Sequence, residues 1–187
     1  MKAPANAVEV GRLVYLRYPT ARDRAQLVAL KVASRAFLEP WEGTPTDGLD
    51  MFSDAWFTRY MTMRKTDANH RFLICRREDR RIAGTMSLGN IVRGAFQSCY
   101  AGYWIGQPFA RRGYTSEALA LALRFAFGTL KLHRVEANIL PRNRPSKGLV
   151  KKLGFRYEGT AKRYLSINHI WEDHEHWAIT AEEWPRA

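Results

Sequence analysis

The sequence predicts a mixed α/β fold, in which helices cover a sheet that is not a regular βαβ repeat. Of the 187 residues, 46% are hydrophobic, which is enough for one domain with a sizeable core. Alternating polar and apolar segments predict strands, and longer segments with helical spacing predict helices. Along the chain these are a strand, two helices, three strands, a helix, a strand, a helix and two strands.

The first quarter of the chain predicts an opening strand followed by helical segments. Residues 12–18 alternate in polarity as a strand does. Thr20 resembles the N-cap of a helix that runs to about Ser34. Residues 37–48 are rich in Pro, Gly and Thr, so we expect a loop there. A second helix is expected over residues 50–64.

Three strands are predicted in the middle of the chain. Residues 70–77 and 81–91 are joined by a short polar connection, so we expect them to pair as a hairpin. Residues 92–96 contain Gly and predict a turn. Residues 98–105 form the next strand, which is dense in aromatic and apolar side chains.

The last third alternates again between helix and strand. A loop after residue 105 opens into a helix that is expected to end near Leu130, and a strand follows at residues 134–140. Asn143 then caps a helix that ends near Leu153. Two final strands close the chain: residues 156–165 and 170–180.

The chain is strongly basic, with 30 Lys and Arg against 18 Asp and Glu and a formal charge of +12. Such a surface attracts polyanions. The charge can serve a phosphorylated cofactor, a nucleoprotein substrate or solubility, and composition does not choose among them. No compact basic run indicates sequence-specific nucleic-acid binding. No apolar run has the length of a membrane span or a signal-peptide core, so we expect a cytoplasmic protein and no membrane partner.

Residues 110–117, ARRGYTSE, lie between a strong strand and an amphipathic helix. Gly113 allows a tight turn, and the free N–H groups of the first helical turn attract an anion. Arg111 and Arg112 add positive charge, so a pyrophosphate fits this segment. Such turns are often only structural. Neither GxxxxGK[ST] nor GxGxxG is present, which disfavours a P-loop or a dinucleotide site.

Several ordered motifs together resemble the GNAT superfamily, most closely its RimJ/RimL type of ribosomal-protein-alanine N-acetyltransferases. They are FLEPWE from residue 37, residues 90–119, LHRVEANILPRNRPSKGLVKKLGFRYEG, and the ending RYLSINHIWEDHEHWAI. The resemblance implies a mostly antiparallel sheet with a splayed central parallel strand pair and about four flanking helices. The pair falls on residues 100–105 and 134–140, and the first of these strands usually carries a bulge. We expect one N-acetyltransferase domain over residues 1–187, with its core at about 12–180.

The resemblance also implies where acetyl-CoA binds. Backbone groups of Tyr103, Trp104 and Ile105 would contact its pantetheine arm. The family's pyrophosphate loop, Q/R-x-x-G-x-G/A, falls on residues 110–115. Only the central Gly113 matches, and Arg111 replaces a frequent glycine. The implied loop contacts are Arg111, Arg112, Gly113, Tyr114 and Thr115.

The helix start matches the family's N-x-x-S with Asn143 and Ser146, which in relatives lie beside the cofactor arm and its sulfur. An N-cap and a first-turn serine are the structural alternatives. Many relatives protonate the thiolate with a Tyr seven residues after the Asn, where this chain has Val150. Ser146 is therefore the candidate for catalysis, since its hydroxyl can donate a hydrogen bond to the thiolate.

The base is not fixed by the sequence. RimL-like relatives carry a Glu where this chain has Arg163, which cannot accept a proton. Of the remaining carboxylates, Glu42 lies on a loop expected over the acceptor pocket, and we take it as a catalytic candidate that could bind the substrate's amino terminus. For Glu117 a favourable interaction with the helix dipole is the preferred role, and Glu158 is expected to be structural. Asp173 also remains. Water alone could deprotonate an α-amino group.

Several aromatic side chains could line a peptide cleft: Trp41, Tyr103, Trp104, Tyr164 and Trp171. For Trp104 and Trp171 a core position is the default. His174 and His176 lie two apart on a strand and share a face, but two histidines without a third ligand do not make a metal site. Cys75 and Cys99 are expected to be buried, reduced thiols.

The leading hypothesis is an acyltransferase that moves acetyl from acetyl-CoA to the amino terminus of a protein, which could be a ribosomal protein or one met on the ribosome. A small-amine acetyltransferase, acting on a polyamine or an antibiotic, is the second hypothesis. The third is a silent module that binds CoA or the ribosome. Monomer and homodimer both remain open.

Overall fold

The computed structural model describes residues 4–185. This part of the chain folds into nine strands and five α-helices. In order these are β1 (Glu9–Val10), β2 (Val14–Arg17), α1 (Arg24–Ala33), α2 (Arg35–Leu38), α3 (Asp54–Thr62), β3 (Lys65–Thr66), β4 (Asn69–Arg76), β5 (Ile82–Val92), β6 (Ser98–Ile105), α4 (Tyr114–Arg124), β7 (Arg134–Ile139), α5 (Arg144–Lys152), β8 (Arg156–Ile167) and β9 (Ile170–Thr180).

The predicted fold class is confirmed. The strands form one sheet in the order β1-β2-β4-β5-β6-β7-β9-β8, with β3 paired to β4 off this path. Every adjacent pair is antiparallel except β6 and β7, which are parallel. The short strands β1 and β3 and the short helix α2 are not predicted from the sequence.

The predicted element boundaries fail mainly at the first loop. The segment at residues 37–48 is not all loop, because it includes the end of α2 and a 3₁₀ turn at Glu39–Trp41. Helix α3 begins four residues later than predicted, where Ser53 accepts a hydrogen bond from the N–H of Trp56 and caps it. Helix α4 ends earlier than predicted and passes into a π-helical turn at Phe125–Thr129.

Strands β6 and β7 separate along their length. They pair only from Ser98 opposite Arg134 to Tyr100 opposite Glu136. Beyond this point β6 continues to Ile105 and β7 to Ile139 without pairing to each other. Backbone N–H and C=O groups on the facing edges are therefore free to bind something placed in the gap.

The expectation of a bulge in β6 is wrong. Its pairing with β5 runs without a break from Tyr100 opposite Gly89 to Ile105 opposite Gly84. The irregularity lies between Gly89 and Val92, at the other end of the hairpin. The gap beside β6 thus comes from the divergence of a parallel pair, not from an extra residue in the strand.

Each face of the sheet has its own core. On one face, α4 and α5 pack on a core that includes Cys99, Leu119 and Val150. On the other face, α1 and α3 pack on a smaller core that includes Leu27 and Trp56. We call these the α4–α5 face and the α1–α3 face. Because successive strand residues point to opposite faces, every chemical group on β6 and β7 is assigned to one face or the other.

Helix α4 is anchored to β2 by Glu117. Its carboxylate accepts hydrogen bonds from the backbone N–H groups of Arg12, Leu13 and Val14, each at 2.7 Å. A Cβ at Gly11 would come within 2.6 Å of this carboxyl group. Glu117 therefore acts structurally, as predicted, but through β2 and not only through the helix dipole.

Candidate active site

A cavity of about 670 Å³ lies where β6 and β7 diverge. It is lined from both faces of the sheet. All the residues predicted to hold the cofactor or to act in catalysis lie on its wall: Glu42, Tyr103, Trp104, Ile105, Arg111, Arg112, Gly113, Tyr114, Thr115, Asn143 and Ser146. The structure thus brings together residues that are up to 104 positions apart in sequence, from Glu42 to Ser146.

One end of the cavity is the turn before α4. Gly113 has φ of +79° and Arg111 has φ of +61°, so both occupy the left-handed region. This explains why a glycine suits the position of Arg111. No side chain caps the N-terminus of α4, and Glu117 in its first turn is directed to β2. The first N–H groups of the helix are therefore open to an anion.

The side chains of this turn are not equivalent. Arg111 and Arg112 are exposed, whereas the ring of Tyr114 is buried in the α4–α5 core. Tyr114 can therefore meet a cofactor mainly through its backbone.

The middle of the cavity carries two hydroxyl groups in contact. Tyr103 Oη lies 2.6 Å from Ser146 Oγ. Ser146 is fixed in turn by Asn143, whose Oδ1 accepts a hydrogen bond from the Ser146 N–H at 3.1 Å. Burial raises the pKa of Tyr103 to about 12, although the hydrogen bond between Tyr103 and Ser146 opposes the rise. The tyrosine therefore keeps its proton at neutral pH.

The contact made by the Tyr103 side chain is not predicted from the sequence, in which only its backbone and a place in a cleft are expected to matter. Strand alternation carries a usable signal, because it puts Tyr103 and Ile105 on the same face as Cys99, toward α5.

The α1–α3 side of the cavity contains a buried ion pair. Lys31 is only 1% exposed, and its Nζ lies 3.1 Å from Glu42 Oε2. The same Nζ lies 4.0 Å from the ring centroid of Trp56 and 5.4 Å from that of Trp104. Burial lowers the pKa of Lys31, whereas Glu42 acts to raise it. Burial of Lys31 is not predicted from the sequence, since a lysine on an amphipathic helix usually faces solvent.

The turn that carries Glu42 is held in place from two sides. Gly43 bridges to Ile167 near the end of β8, and the Thr44 N–H donates to the Ser166 carbonyl. Arg142 donates to the carbonyl of Pro40 at 2.9 Å. Glu42 is thus fixed on the cavity wall.

Comparison with known proteins gives the family. The model of the acetyltransferase (GNAT) domain matches residues 13–156. The chain belongs to the GNAT family of acetyltransferases. The resemblance seen in its motifs is therefore confirmed, and this GNAT protein is by family an acyltransferase.

Three relatives resemble this acetyltransferase over nearly its whole length. The ribosomal protein uS5-alanine N-acetyltransferase of Escherichia coli is 35% identical and covers 97% of this chain and 94% of its own. The structure of Mycobacterium smegmatis RimJ in complex with CoA-disulfide is 34% identical with a TM-score of 0.87, over 95% of this chain and 90% of that one. Ribosomal-protein-S5-alanine acetyltransferase from Vibrio fischeri is 27% identical with a TM-score of 0.81, over 95% and 98%.

The other carboxylates of this acetyltransferase that are candidates for the base lie away from the cavity. Glu158 forms ion pairs with Arg134 and Arg156, so its structural role is as predicted. Asp173 pairs with Lys162 and accepts from the backbone N–H of Arg163. Glu42 is the candidate carboxylate that lies on the cavity wall.

The aromatic residues divide between the cavity and the surface. Trp41, Tyr103 and Trp104 line the cavity, and Trp104 also packs against the α1–α3 core. Tyr164 does not line the cavity but contacts it indirectly, through Asn138. The core position predicted for Trp171 is wrong, since this side chain is 60% exposed near the β8–β9 turn.

The histidines and cysteines in the described part of the acetyltransferase give no sign of a metal site. Within residues 4–185 no group of three or more His, Cys, Asp or Glu side chains could hold a metal ion. His174 is buried and lines the cavity. Cys75 and Cys99 are buried and unpaired with each other, as predicted.

None of the helices within residues 4–185 is long and apolar enough to cross a membrane.

Proposed function

We propose that this GNAT acetyltransferase transfers acetyl from acetyl-CoA to the N-terminal amino group of a protein, with a ribosomal protein as the leading acceptor. One observation carries the proposal: a single cavity passes between β6 and β7, with an anion-binding turn on one side of the sheet and a wall suited to an acceptor on the other. The relatives' names support both substrates, CoA for the Mycobacterium protein and ribosomal-protein alanine for the Escherichia coli enzyme.

The cofactor would enter on the α4–α5 face. The pyrophosphate fits the N–H groups from Arg111 to Thr115, with the guanidinium groups of Arg111 and Arg112 adding charge. The pantetheine arm fits the free edge of β6 from Tyr103 to Ile105. Asn143 stands beside its path at the start of α5. The thioester then reaches the pair formed by Tyr103 and Ser146.

The chemistry follows from that placement. A backbone N–H of β6 polarises the thioester carbonyl, the amine attacks, and the C–S bond breaks. Ser146 donates its proton to the departing thiolate and recovers one from Tyr103, whose high pKa keeps it protonated. We propose Ser146 as a catalytic residue on this basis, with Tyr103 as its partner.

The acceptor would approach from the α1–α3 face. Glu42 lies there on the cavity wall, and its Oε2 is already paired with Lys31. A carboxylate in such a pair suits binding of the acceptor's amino group better than removal of its proton. We therefore propose that Glu42 orients the amine, while Trp41 contributes apolar surface next to it.

The charge of this wall favours an acceptor with one amino group over a polyamine. Lys31 and Arg71 line the cavity with two positive charges, against the single carboxylate of Glu42. A polycation entering there would meet like charge. A ribosomal acceptor also agrees with the cytoplasmic location and the single domain expected from the sequence.

A direct assay tests the proposal. Purified protein is given acetyl-CoA with a peptide that begins with Ala, and thiol release is followed. The same peptide with a blocked amino terminus is the matched control, and spermidine and an aminoglycoside are the competing acceptors. Release with the free peptide alone is expected. Turnover confined to the small amines would refute a protein acceptor, and CoA binding without any turnover would indicate a silent module.

The ribosomal assignment has its own test. Ribosomal-protein amino termini are measured by mass spectrometry in cells with and without the gene. Loss of one acetyl group from a protein beginning with Ala is expected. An unchanged pattern would remove the ribosomal assignment and leave the peptide activity to be explained by another acceptor.

A further inference from the structure

His174 on β9 is held in one tautomer. Its side chain is buried, at 3% exposure, and lines the cavity. The ring atom Nδ1 lies 3.1 Å from the backbone carbonyl oxygen of Glu172. A carbonyl oxygen only accepts, so Nδ1 carries the proton and donates it. The lone pair of the neutral ring is then on Nε2.

That Nε2 atom makes no hydrogen bond with the part of the chain that the structure describes. Among residues 4–185, the enclosed side-chain nitrogens and oxygens that lack a partner are Arg76 Nε, Asn138 Oδ1 and His176 Nε2. His174 Nε2 is not one of them, and no hydrogen bond holds it. Because His174 lines the cavity and is otherwise buried, its Nε2 can face the cavity. The Nε2 atom of His176, two residues on along the same face, is enclosed without a partner, although that side chain is 26% exposed.

His174 lies on the opposite side of the sheet from the Tyr103–Ser146 pair. On β7 and β9, Ala137 and Trp177 pair with each other and belong to the α4–α5 core. Residues of the other parity, including His176 and His174, face the α1–α3 side. The acceptor wall formed by Lys31 and Glu42 is on that same side, since Lys31 contacts Trp56 of the α1–α3 core.

The surroundings keep His174 neutral. The ring of Tyr164 lies 5.5 Å away, and the charged or titratable neighbours are Glu172, His176 and Arg142. Burial lowers the pKa of His174, and His176 and Arg142 add to this, whereas the Glu172 carbonyl and carboxylate oppose it. A neutral imidazole with an open nitrogen can accept a proton at neutral pH.

We infer that His174 is the base that takes the proton from the acceptor amine, directly or through one water. The inference rests on the proposed acetyl transfer. At neutral pH the acceptor's amino group is largely an ammonium, so Nε2 of His174 first takes one N–H proton and frees the lone pair that bonds to the acetyl carbon. The C–S bond of that carbon breaks, and the thiolate takes the proton of Ser146, which Tyr103 replaces. A second N–H proton leaves the new amide nitrogen through water and restores the hydroxyl pair, and His174 releases its own proton to water.

The pH profile of a matched pair of variants tests the assignment. His174→Asn keeps a donor near the position of Nδ1 but cannot titrate, and His176→Asn is the control on the same strand and face. kcat/KM for the Ala peptide is measured from pH 6 to pH 9. An α-amino group has a pKa of about 8, so the His174 variant should depend on the small unprotonated fraction in solution. We expect its deficit to be about tenfold or more larger at pH 6.5 than at pH 9.

Two outcomes would overturn the inference. One is a deficit in His174→Asn that is the same at every pH, as a purely structural role would give. The other is an equal change in His176→Asn. His174→Gln, which keeps a polar group near Nε2, carries the same test if circular dichroism shows that the Asn variant is unfolded. If the natural protein acetylates only small amines, the pH profile of kcat/KM is measured with a small amine instead. The role of His174 as the base is then tested separately from the proposal of a protein acceptor.

Discussion

Tyr103 Oη and Ser146 Oγ lie 2.6 Å apart, although one residue is on β6 and the other is on α5. The contact spans the gap in which β6 and β7 separate. In the proposed mechanism the two hydroxyl groups act as one proton-donating unit, since the proton that Ser146 gives up can be replaced from Tyr103. A serine alone is a poor acid, so we propose that the pair serves in place of the tyrosine that many relatives have where this chain has Val150.

Removing either hydroxyl should slow turnover and leave cofactor binding intact. We expect Tyr103→Phe and Ser146→Ala each to lower kcat by about tenfold or more, with KM for acetyl-CoA within about twofold. The kcat of the double variant should be only slightly lower than that of the less active single variant, because the two groups act together. Steady-state kinetics of all three check this, with exposed Tyr157→Phe as the control. Fully multiplicative losses would mean that the hydroxyls act independently.

Asn143 should affect both the helix and the cofactor. Its Oδ1 caps α5 through the Ser146 N–H, and the residue lines the cavity. Asn143→Ala should raise KM for acetyl-CoA and lower the free energy of unfolding by about 1 kcal/mol. Asn143→Ser keeps a capping oxygen, so it should restore stability but not KM. Denaturant unfolding and kinetics separate the two effects, and unchanged kinetics in the Ala variant would show that Asn143 is only a cap.

The two arginines before α4 should contribute charge to cofactor binding. Arg111 has a left-handed backbone, so Arg111→Gly removes the charge without straining the turn. We expect this change, and Arg112→Ala, to raise KM for acetyl-CoA several-fold at low salt and less at high salt, because salt screens the attraction. Arg22→Ala alters the net charge equally at an exposed position away from the cavity. An equal rise in that variant would indicate a long-range effect only.

Breaking the buried ion pair should destabilise the protein, whereas replacing both of its residues should have a much smaller effect. Lys31→Met leaves Glu42 without its partner, and Glu42 is 19% exposed, so we expect a loss of about 2–3 kcal/mol in the free energy of unfolding. Lys31→Met with Glu42→Gln should recover most of it. Urea unfolding measures both. Equal losses in the single and the double variant would contradict the proposed coupling between Lys31 and Glu42.

The double variant also tests Glu42. If its carboxylate orients the acceptor, a folded Lys31→Met, Glu42→Gln protein should show a raised KM for the Ala peptide and an unchanged KM for acetyl-CoA. Kinetics with the peptide varied at saturating acetyl-CoA measure this. An unchanged peptide KM would restrict Glu42 to a structural role.

Much of the fold follows from local patterns in the sequence. The segments that become β6, which is dense in aromatic and apolar residues, and β9 are predicted to the residue, and Asn143 is correctly predicted to cap α5. Alternation and capping depend on neighbours in the chain, which is why they can be recognised without the fold. The motifs from Gly113 to Ser146 likewise identify the family and the residues that line the cavity.

The tertiary structure alone decides which groups can react. Three features depend on elements distant in sequence: the burial of Lys31 against Trp56, the contact of Tyr103 with Ser146, and the buried place of His174 on the cavity wall. Exposure of Trp171 is decided in the same way, because residue type does not reveal whether a strand face is covered. Proton affinity and reactivity depend on burial and on partners across the sheet, and these exist only after the chain has folded.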